Sequence, residues 1–219
     1  MRILFKYPTF QRPEWFKITL DKYFFMLSGH YEYKFLITLN SNDVTMNNDG
    51  MREFMDGYSH LEYKYGKHQT KIDACNADMD GEDFDILFLI SDDMIPILPG
   101  FDNMIVEQME KHFPNMDGAL HFNDGLFGKD RTITLSIMGK KLYDHFGYIY
   151  HPDYKSFYCD NEFTDEVKRL GKHIYIPEVI VKHQWKGGPQ GDPTYRRNSK
   201  LGRPDEATYN RRKAAGFPR

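Results

Sequence analysis

The chain has only two cysteines, Cys75 and Cys159, among 219 residues. That excludes a disulfide framework and leads us to expect a reducing, cytoplasmic setting. No apolar run approaches the roughly 20 residues of a membrane span, so no transmembrane segment is expected. The strand-like Arg2-Ile3-Leu4-Phe5 begins at once, and we expect no signal peptide before the fold. The chain also lacks an excess of positive charge. A net charge of −3 argues against a general nucleic-acid binder. No internal repeat is apparent.

What is present is a globular composition, 40% hydrophobic and 16% aromatic, long enough for one large domain with a substantial core. The charge is unevenly spread. Residues 186–219 hold nine Lys or Arg against three Asp or Glu, a balance of +6, so the preceding 185 residues carry −9. Such a tail is either a solvated arm or a segment that folds over an acidic site and neutralises a bound phosphate.

Strand and helix signals alternate along the first half. Ile3 to Lys6 reads as a strand, followed by the turn Pro8-Thr9-Phe10-Gln11-Arg12-Pro13. Phe16, Leu20, Phe24 and Leu27 then recur at helical spacing, with Pro13 suited to the first turn. Strands are expected at Tyr33 to Leu39 and Leu61 to Tyr65, and helices around Met51 to Met55 and Ile72 to Met79. The apolar run Ile86-Leu87-Phe88-Leu89-Ile90 has the length and flanks of a strand buried on both faces of a parallel sheet. This βαβα rhythm predicts an α/β fold with a mostly parallel sheet. The second half is less regular. Helices are expected around Met104 to Met109, through Leu142 and Phe146, and from Asp160 to Leu170. Strands are expected at Gly118 to Phe122, Thr132 to Met138, Ile174 to Ile176 and Val179 to Val181. Beyond Gly187, Gly, Pro and Arg enrichment predicts an extended tail.

Residues able to carry chemistry gather at the ends of these elements. Ser91-Asp92-Asp93 closes the buried strand, and open α/β sheets bind ligands outside the carboxyl ends of their strands. Adjacent carboxylates there suit a divalent cation serving a phosphate-bearing substrate, or else they are solvated turn residues. Asp160 and Glu162 stand at a helix start, where Asp is a favoured N-cap and Glu suits the dipole. The chemical alternative is a general base whose pKa the dipole lowers. His183 follows a β-branched segment; it is a structural histidine, or a nitrogen ligand completing a site for Mn²⁺ or Mg²⁺. Thr9, Arg12, Asn40, Asp43, Lys71 and Asn76 fall at strand ends or helix starts on one expected rim. They have the donors and acceptors that a nucleotide's base, ribose and diphosphate require.

In this order the pieces resemble the GT-A glycosyltransferases, in particular the family 2-like inverting enzymes. Pro8-Thr9-Phe10-Gln11-Arg12-Pro13-Glu14 is similar to their opening Pro-Thr-Tyr-Asn-Arg-Pro turn. Asn40-Ser41-Asn42-Asp43 resembles Asp-Gly-Ser-x-Asp, with Leu39 where an Asp often sits. Lys71-Ile72-Asp73-Ala74-Cys75-Asn76 is similar to the Lys/Gly-x-x-Ala-x-Asn helix. Ser91-Asp92-Asp93 stands at the Asp-x-Asp position, with Ser91 in place of the first Asp. Cys159-Asp160-Asn161-Glu162-Phe163 resembles Glu-Asp-x-Glu-Leu. The resemblance spans about residues 3 to 185.

It implies a single GT-A domain over 1–185. The basic tail over 186–219 has no counterpart in the family; its charge, with Gly187 and Gly188 as a hinge and Tyr195, Arg196 and Arg197 beyond it, suits an active-site lid or else a flexible arm. It implies a nucleotide-sugar donor, most often a UDP-sugar, and transfer with inversion to a saccharide or other hydroxyl acceptor. Asp93 and His183 would hold Mn²⁺ or Mg²⁺, Asp160 would be the catalytic base, and Thr9, Arg12, Asn40, Asp43, Lys71, Asn76, Asp92 and Lys186 would line the donor site. Tyr148 to Tyr158 would stack on an acceptor sugar or pack in the core. Two rivals share features with this reading. A sugar-phosphate nucleotidyltransferase would need a Gly-rich loop that Pro8 to Pro13 lacks. A carbohydrate-binding module would leave the metal cluster and Asp160 without a role.

Overall fold

The structure, a computed structural model, describes residues 1–126, 131–184 and 193–218. Its elements run β1 (Arg2–Pro8), α1 (Pro13–Met26), β2 (Glu32–Asn40), α2 (Asp49–Asp56), β3 (Leu61–Gly66) and α3 (Lys71–Asn76). Then come β4 (Ile86–Leu89), β5 (Met94–Pro96), α4 (Phe101–His112), β6 (Ala119–Phe122), β7 (Ile137–Gly139) and α5 (Lys140–Phe146). The chain continues with α6 (Cys159–Arg169), β8 (His173–Ile176), β9 (Val181–His183), α7 (Pro193–Ser199) and α8 (Gly202–Ala214).

Seven strands form one sheet in the order β3-β2-β1-β4-β7-β6-β8. Only β7 runs antiparallel to its neighbours, β4 and β6; the other pairs are parallel. The mostly parallel α/β sheet expected from the sequence is therefore present. Alternation along β1 divides the core, because successive side chains leave opposite faces of a strand. Ile3, Phe5 and Tyr7 join Phe16, Leu20, Tyr23, Phe35, Phe88 and Phe101 on one face. Leu4 joins Leu36, Ile72, Leu87, Met138, Leu142 and Phe163 on the other. Helices α1 and α4 thus cover one face, and α3, α5 and α6 cover the other. Ile86, Leu87, Phe88 and Leu89 are all buried because β4 lies between β1 and β7 with packing on both sides.

Several sequence expectations shift. The strand expected over Thr132 to Met138 narrows to Ile137–Gly139 because the preceding residues turn aside: the Ile133 amide donates to Thr164 Oγ1 (2.9 Å) and Thr134 Oγ1 to Asp124 (2.6 Å). The strand expected at Val179 to Val181 lies later, at Val181–His183, and pairs antiparallel with β5 in a separate two-stranded sheet. The tail expected to be extended is instead helical over Pro193–Ser199 and Gly202–Ala214. Side-chain anchoring overrides composition there. Arg212 donates to Glu162 through Nε (2.8 Å) and Nη2 (2.9 Å), with both groups buried, and Tyr209 Oη donates to Asp165 (2.7 Å).

Candidate active site

A cavity of about 480 Å³ opens at the carboxyl ends of β1, β2 and β4, within the roughly 300–1,000 Å³ typical of small-ligand sites. Thr9, Arg12, Asn40, Lys71, Asp92, Asp93, Asp160 and His183 all line it. Eight of the eleven residues proposed from sequence thus share one concavity. Asp43 and Asn76 do not line it. Asp43 is buried and accepts from the amides of Gln11 (2.6 Å) and Thr45 (3.1 Å). It thereby holds Gln11, a non-glycine residue at φ 57°, in the turn that presents Arg12. Asn76 braces the aromatic segment: its Oδ1 accepts from the amides of Ile149 (3.0 Å) and Tyr150 (3.1 Å), and its Nδ2 donates to Tyr150 O (2.6 Å). Lys186 lies outside the described residues, as do Gly187 and Gly188.

The paired aspartates are held differently. Asp92 Oδ1 accepts from Tyr7 Oη (3.0 Å) and Thr9 Oγ1 (2.9 Å), and the residue is 4% exposed. Burial pushes its carboxyl up to about 7, against the opposing pull of Arg12 and Thr9. Asp93 exposes 29% of its side chain to the cavity. Burial raises its carboxyl too, but His183, then Ser91 and Arg12, outweigh it and hold the group well below the usual carboxylate range. Arg12 Nη1 lies 3.8 Å from Asp92 Oδ2 and 3.9 Å from Asp93 Oδ2. Asp93 is therefore the carboxylate free to face a ligand, while Asp92 fixes Thr9 and Tyr7 beneath it.

The β5–β9 ladder brings His183 to this place. Met94 pairs with His183, and the Gln184 amide donates to Asp93 O (2.7 Å). His183 Nε2 lies 3.7 Å from Asp93 Oδ2. On the other edge of the ring, Nδ1 lies 3.6 Å from Asp124 Oδ2, and that nitrogen is buried without a hydrogen-bond partner at normal distance. Burial alone would lower the imidazole; the nearby Asp124 and Asp93 carboxylates outweigh it and raise the group to about 9.

Sequence reasoning missed Asp124. The strand Ala119–Phe122 ends in Asn123-Asp124-Gly125, the same strand-end signal that singled out Asp92 and Asp93. Asp124 is anchored by the Leu126 amide (2.9 Å) and Thr134 Oγ1 (2.6 Å), so it can orient the ring. A carboxylate behind a histidine in this way is the usual support of a metal-ligating imidazole.

No group of three or more His, Cys, Asp or Glu that would close a cation cage by itself occurs among the described residues. The donor set still fits Mg²⁺ or Mn²⁺, because such ions take one or two protein groups and fill the remaining positions with water and substrate phosphates. Asp93 and His183 are the two groups that face each other across the cavity floor.

Asp160 corrects an expectation. Tyr158, at φ 61°, is the N-cap of α6, and Asp160 lies inside the first turn. Burial raises its carboxyl, outweighing Lys71 and the amide of Asn161, so the dipole-lowered pKa expected from position alone does not hold. A carboxylate of raised basicity facing a cavity suits proton acceptance. Both cysteines line the same cavity as buried free thiols, and burial raises each.

No protein-family model matches the chain, and no curated protein matches it. Solved structures do. A mannosyltransferase, PcManGT from Pyrobaculum calidifontis, solved with GDP-Man and Mn²⁺, superposes with a TM-score of 0.72 at 13% identity over 96% of this chain and 64% of that one. TarS 1-349 from S. aureus matches with a TM-score of 0.66 at 11% identity, over 84% of this chain and 60% of that one. Its complex with UDP-GlcNAc gives 0.68 at 10% identity, over 86% and 60%. The chain thus spans less than two thirds of each of these proteins. What the likeness establishes is architecture: the chain has the GT-A fold, with its cavity at the carboxyl ends of the parallel strands.

Proposed function

We propose that the protein transfers a sugar from a nucleoside-diphosphate sugar, with a UDP-sugar the first choice, to a hydroxyl acceptor such as a saccharide. The observation that carries this reading is the convergence of Asp93, His183 and Asp160 on one cavity of a GT-A fold. Arg12 and Lys71 add positive charge to the same lining, which suits a diphosphate. The solved neighbours bound to GDP-Man and UDP-GlcNAc support a nucleotide-sugar ligand.

Asp93 and His183 would hold Mn²⁺ or Mg²⁺, with Asp124 fixing the ring of His183. When bound, that cation would neutralise charge developing on the departing diphosphate. Asp160 accepts the proton of the acceptor hydroxyl as that oxygen attacks the anomeric carbon, giving inversion in one displacement. Helix α7, carrying Thr194, Tyr195, Arg197 and Asn198 into the lining, closes the cavity as a lid over the nucleotide. Among the described residues no helix is long and apolar enough to cross a membrane.

The test is incubation with UDP- and GDP-sugars, with Mn²⁺, Mg²⁺ or a chelator, scored for nucleoside diphosphate release. Metal-dependent release stimulated by a hydroxyl acceptor, with a product of inverted anomeric configuration, is expected. Nucleoside triphosphate formed only on adding pyrophosphate would replace this reading with nucleotidyl transfer. Binding of neither nucleotide would reject both.

A further inference from the structure

Among the described residues, the carboxylate of Asp160 takes its hydrogen bond locally, from the Asn161 amide (3.0 Å). Its direction therefore follows the backbone of the first turn of α6. What fixes that turn comes from the far end of the chain. Asp205 on α8 is 1% exposed, and its carboxylate accepts three consecutive amides: Lys155 (3.0 Å), Ser156 (2.8 Å) and Phe157 (2.8 Å). These three residues lead directly into Tyr158, whose left-handed backbone swings the chain into α6. The carbonyl of Lys155 accepts the Ile72 amide (3.4 Å), so the same short strap also touches the helix that presents Lys71.

A second anchor acts from the other side of Asp160. Arg212 holds Glu162 with two parallel hydrogen bonds, and Tyr154 Oη donates to the same carboxylate (2.8 Å). Glu162 is 5% exposed and Arg212 6%. Asp205 and Arg212 stand seven residues apart, two helical turns, and so share one face of α8. Asp160 lies three residues after one anchored segment and two before the other anchored residue. The two contacts differ in kind: one gathers three backbone donors, that of Ser156 buried, on one carboxylate, and the other pairs buried charges.

We infer that Asp205 and Arg212 are positioning residues for the proton acceptor Asp160, so that α8 belongs to the reaction centre without touching substrate. This rests on the glycosyl-transfer reading of the cavity. A displacement of about 1 Å in a reacting group can cost roughly 10²-fold in rate. Asp93, Arg12 and His183, the groups proposed to meet the diphosphate and its cation, are set by the turns after β1 and β4 and by the β5–β9 ladder, so nucleotide affinity should not follow.

The experiment is Asp205→Asn in the full chain, where the amide nitrogen must face backbone N–H groups. Turnover should fall by roughly 10- to 100-fold, while nucleoside diphosphate affinity with Mn²⁺ stays within about twofold. Hydrogen exchange should quicken at Lys155 to Phe157 and spread to Asn161 to Phe163, leaving β1 protected. Lys213→Ala, which removes an exposed ion pair of the same helix with Asp165, should leave all three readouts as in the native chain. If Asp205→Asn does not fold, Arg212→Lys keeps the charge, loses the bidentate geometry and should show the same split. Unchanged turnover, equal losses of affinity and turnover, or an exchange change confined to α8 would each overturn the inference. Absence of nucleotide-sugar turnover in the native chain would instead reject the functional reading. The exchange pattern would then decide whether α8 fixes the turn.

Discussion

The two walls of the cavity are held by different means. On the side of β1, β2 and β4, each lining residue is placed within four residues of a strand end. Asp92 meets Tyr7 and Thr9 from the neighbouring strand, and Asn40 Nδ2 donates to His68 O (2.6 Å). On the side of α6 and β9, placement depends on contacts far apart in sequence. His183 is set by a ladder to β5, and the turn of Asp160 by a helix about fifty residues later. A parallel sheet aligns strand ends as a consequence of its pairing, whereas a helix start behind an irregular loop has no such frame. The second wall should be easier to disturb from a distance.

The largest expected effect lies on that second wall. Asp160→Asn should lower transfer by about 10²–10⁴-fold while donor affinity, read by calorimetry, is retained. Normal transfer in this variant would remove Asp160 from its role and level the contrast.

The next test concerns stability. Arg212→Ala leaves Glu162 buried without its cation and should cost about 3–5 kcal/mol in urea unfolding. A cost under about 1 kcal/mol, the range of exposed pairs, would mean that the far wall does not depend on this anchor.

The first wall contains a buried charge of its own. Lys6 is fully buried, with Nζ donating to Thr38 Oγ1 and to Ala77 O (2.7 Å), and Asp78 4.0 Å away. Burial, opposed by Asp78, Cys75 and Glu82 and aided by Lys64, lowers the amine from 10.5 to about 8; His68 also faces it. The unfolded chain therefore binds more protons between those values. Stability should rise with pH across that window, by at most about 3 kcal/mol, and the penalty should be fully present below pH 8. Lys6→Met should abolish the slope in unfolding measured from pH 7.5 to about 10.5. A slope that persists would place its origin elsewhere.

The smallest effect expected is that of Asp124→Asn, which loosens His183 without removing a ligand. Mn²⁺ affinity should weaken by about 10- to 100-fold. Equal loss in Asp124→Asn and His183→Ala would make the support as important as the ligand; no loss would make Asp124 a loop anchor only.

Much of the first wall was legible in the sequence. The run from Ile86 to Ile90, the alternation in Arg2–Pro8 and the helix spacing after Pro13 define neighbouring strands, and a polar residue in the turn after a buried strand must emerge at its end. Asp93, Thr9 and Arg12 follow from that rule. Asp43 satisfies the same rule, and Asn76 closes a helix on the same expected rim, yet both turn into the protein, because a loop amide or carbonyl lay within reach of each side chain. Local pattern does not say which acceptor a turn will recruit.

The second half resisted for the same reason. Composition favoured an extended tail, yet Asp205, Tyr209 and Arg212 find Lys155 to Phe157, Asp165 and Glu162 and hold a helix there. The sequence by itself determined the sheet, its two packed faces and the carboxylates at the strand ends, since these depend on periods of two and 3.6 residues. Only the tertiary structure decided that His183 faces Asp93 with Asp124 behind it, and that the last helix holds the turn of Asp160. Those are pairings between residues tens of positions apart, and the energy that selects them comes from burial of charge and of backbone amides, which no local window records.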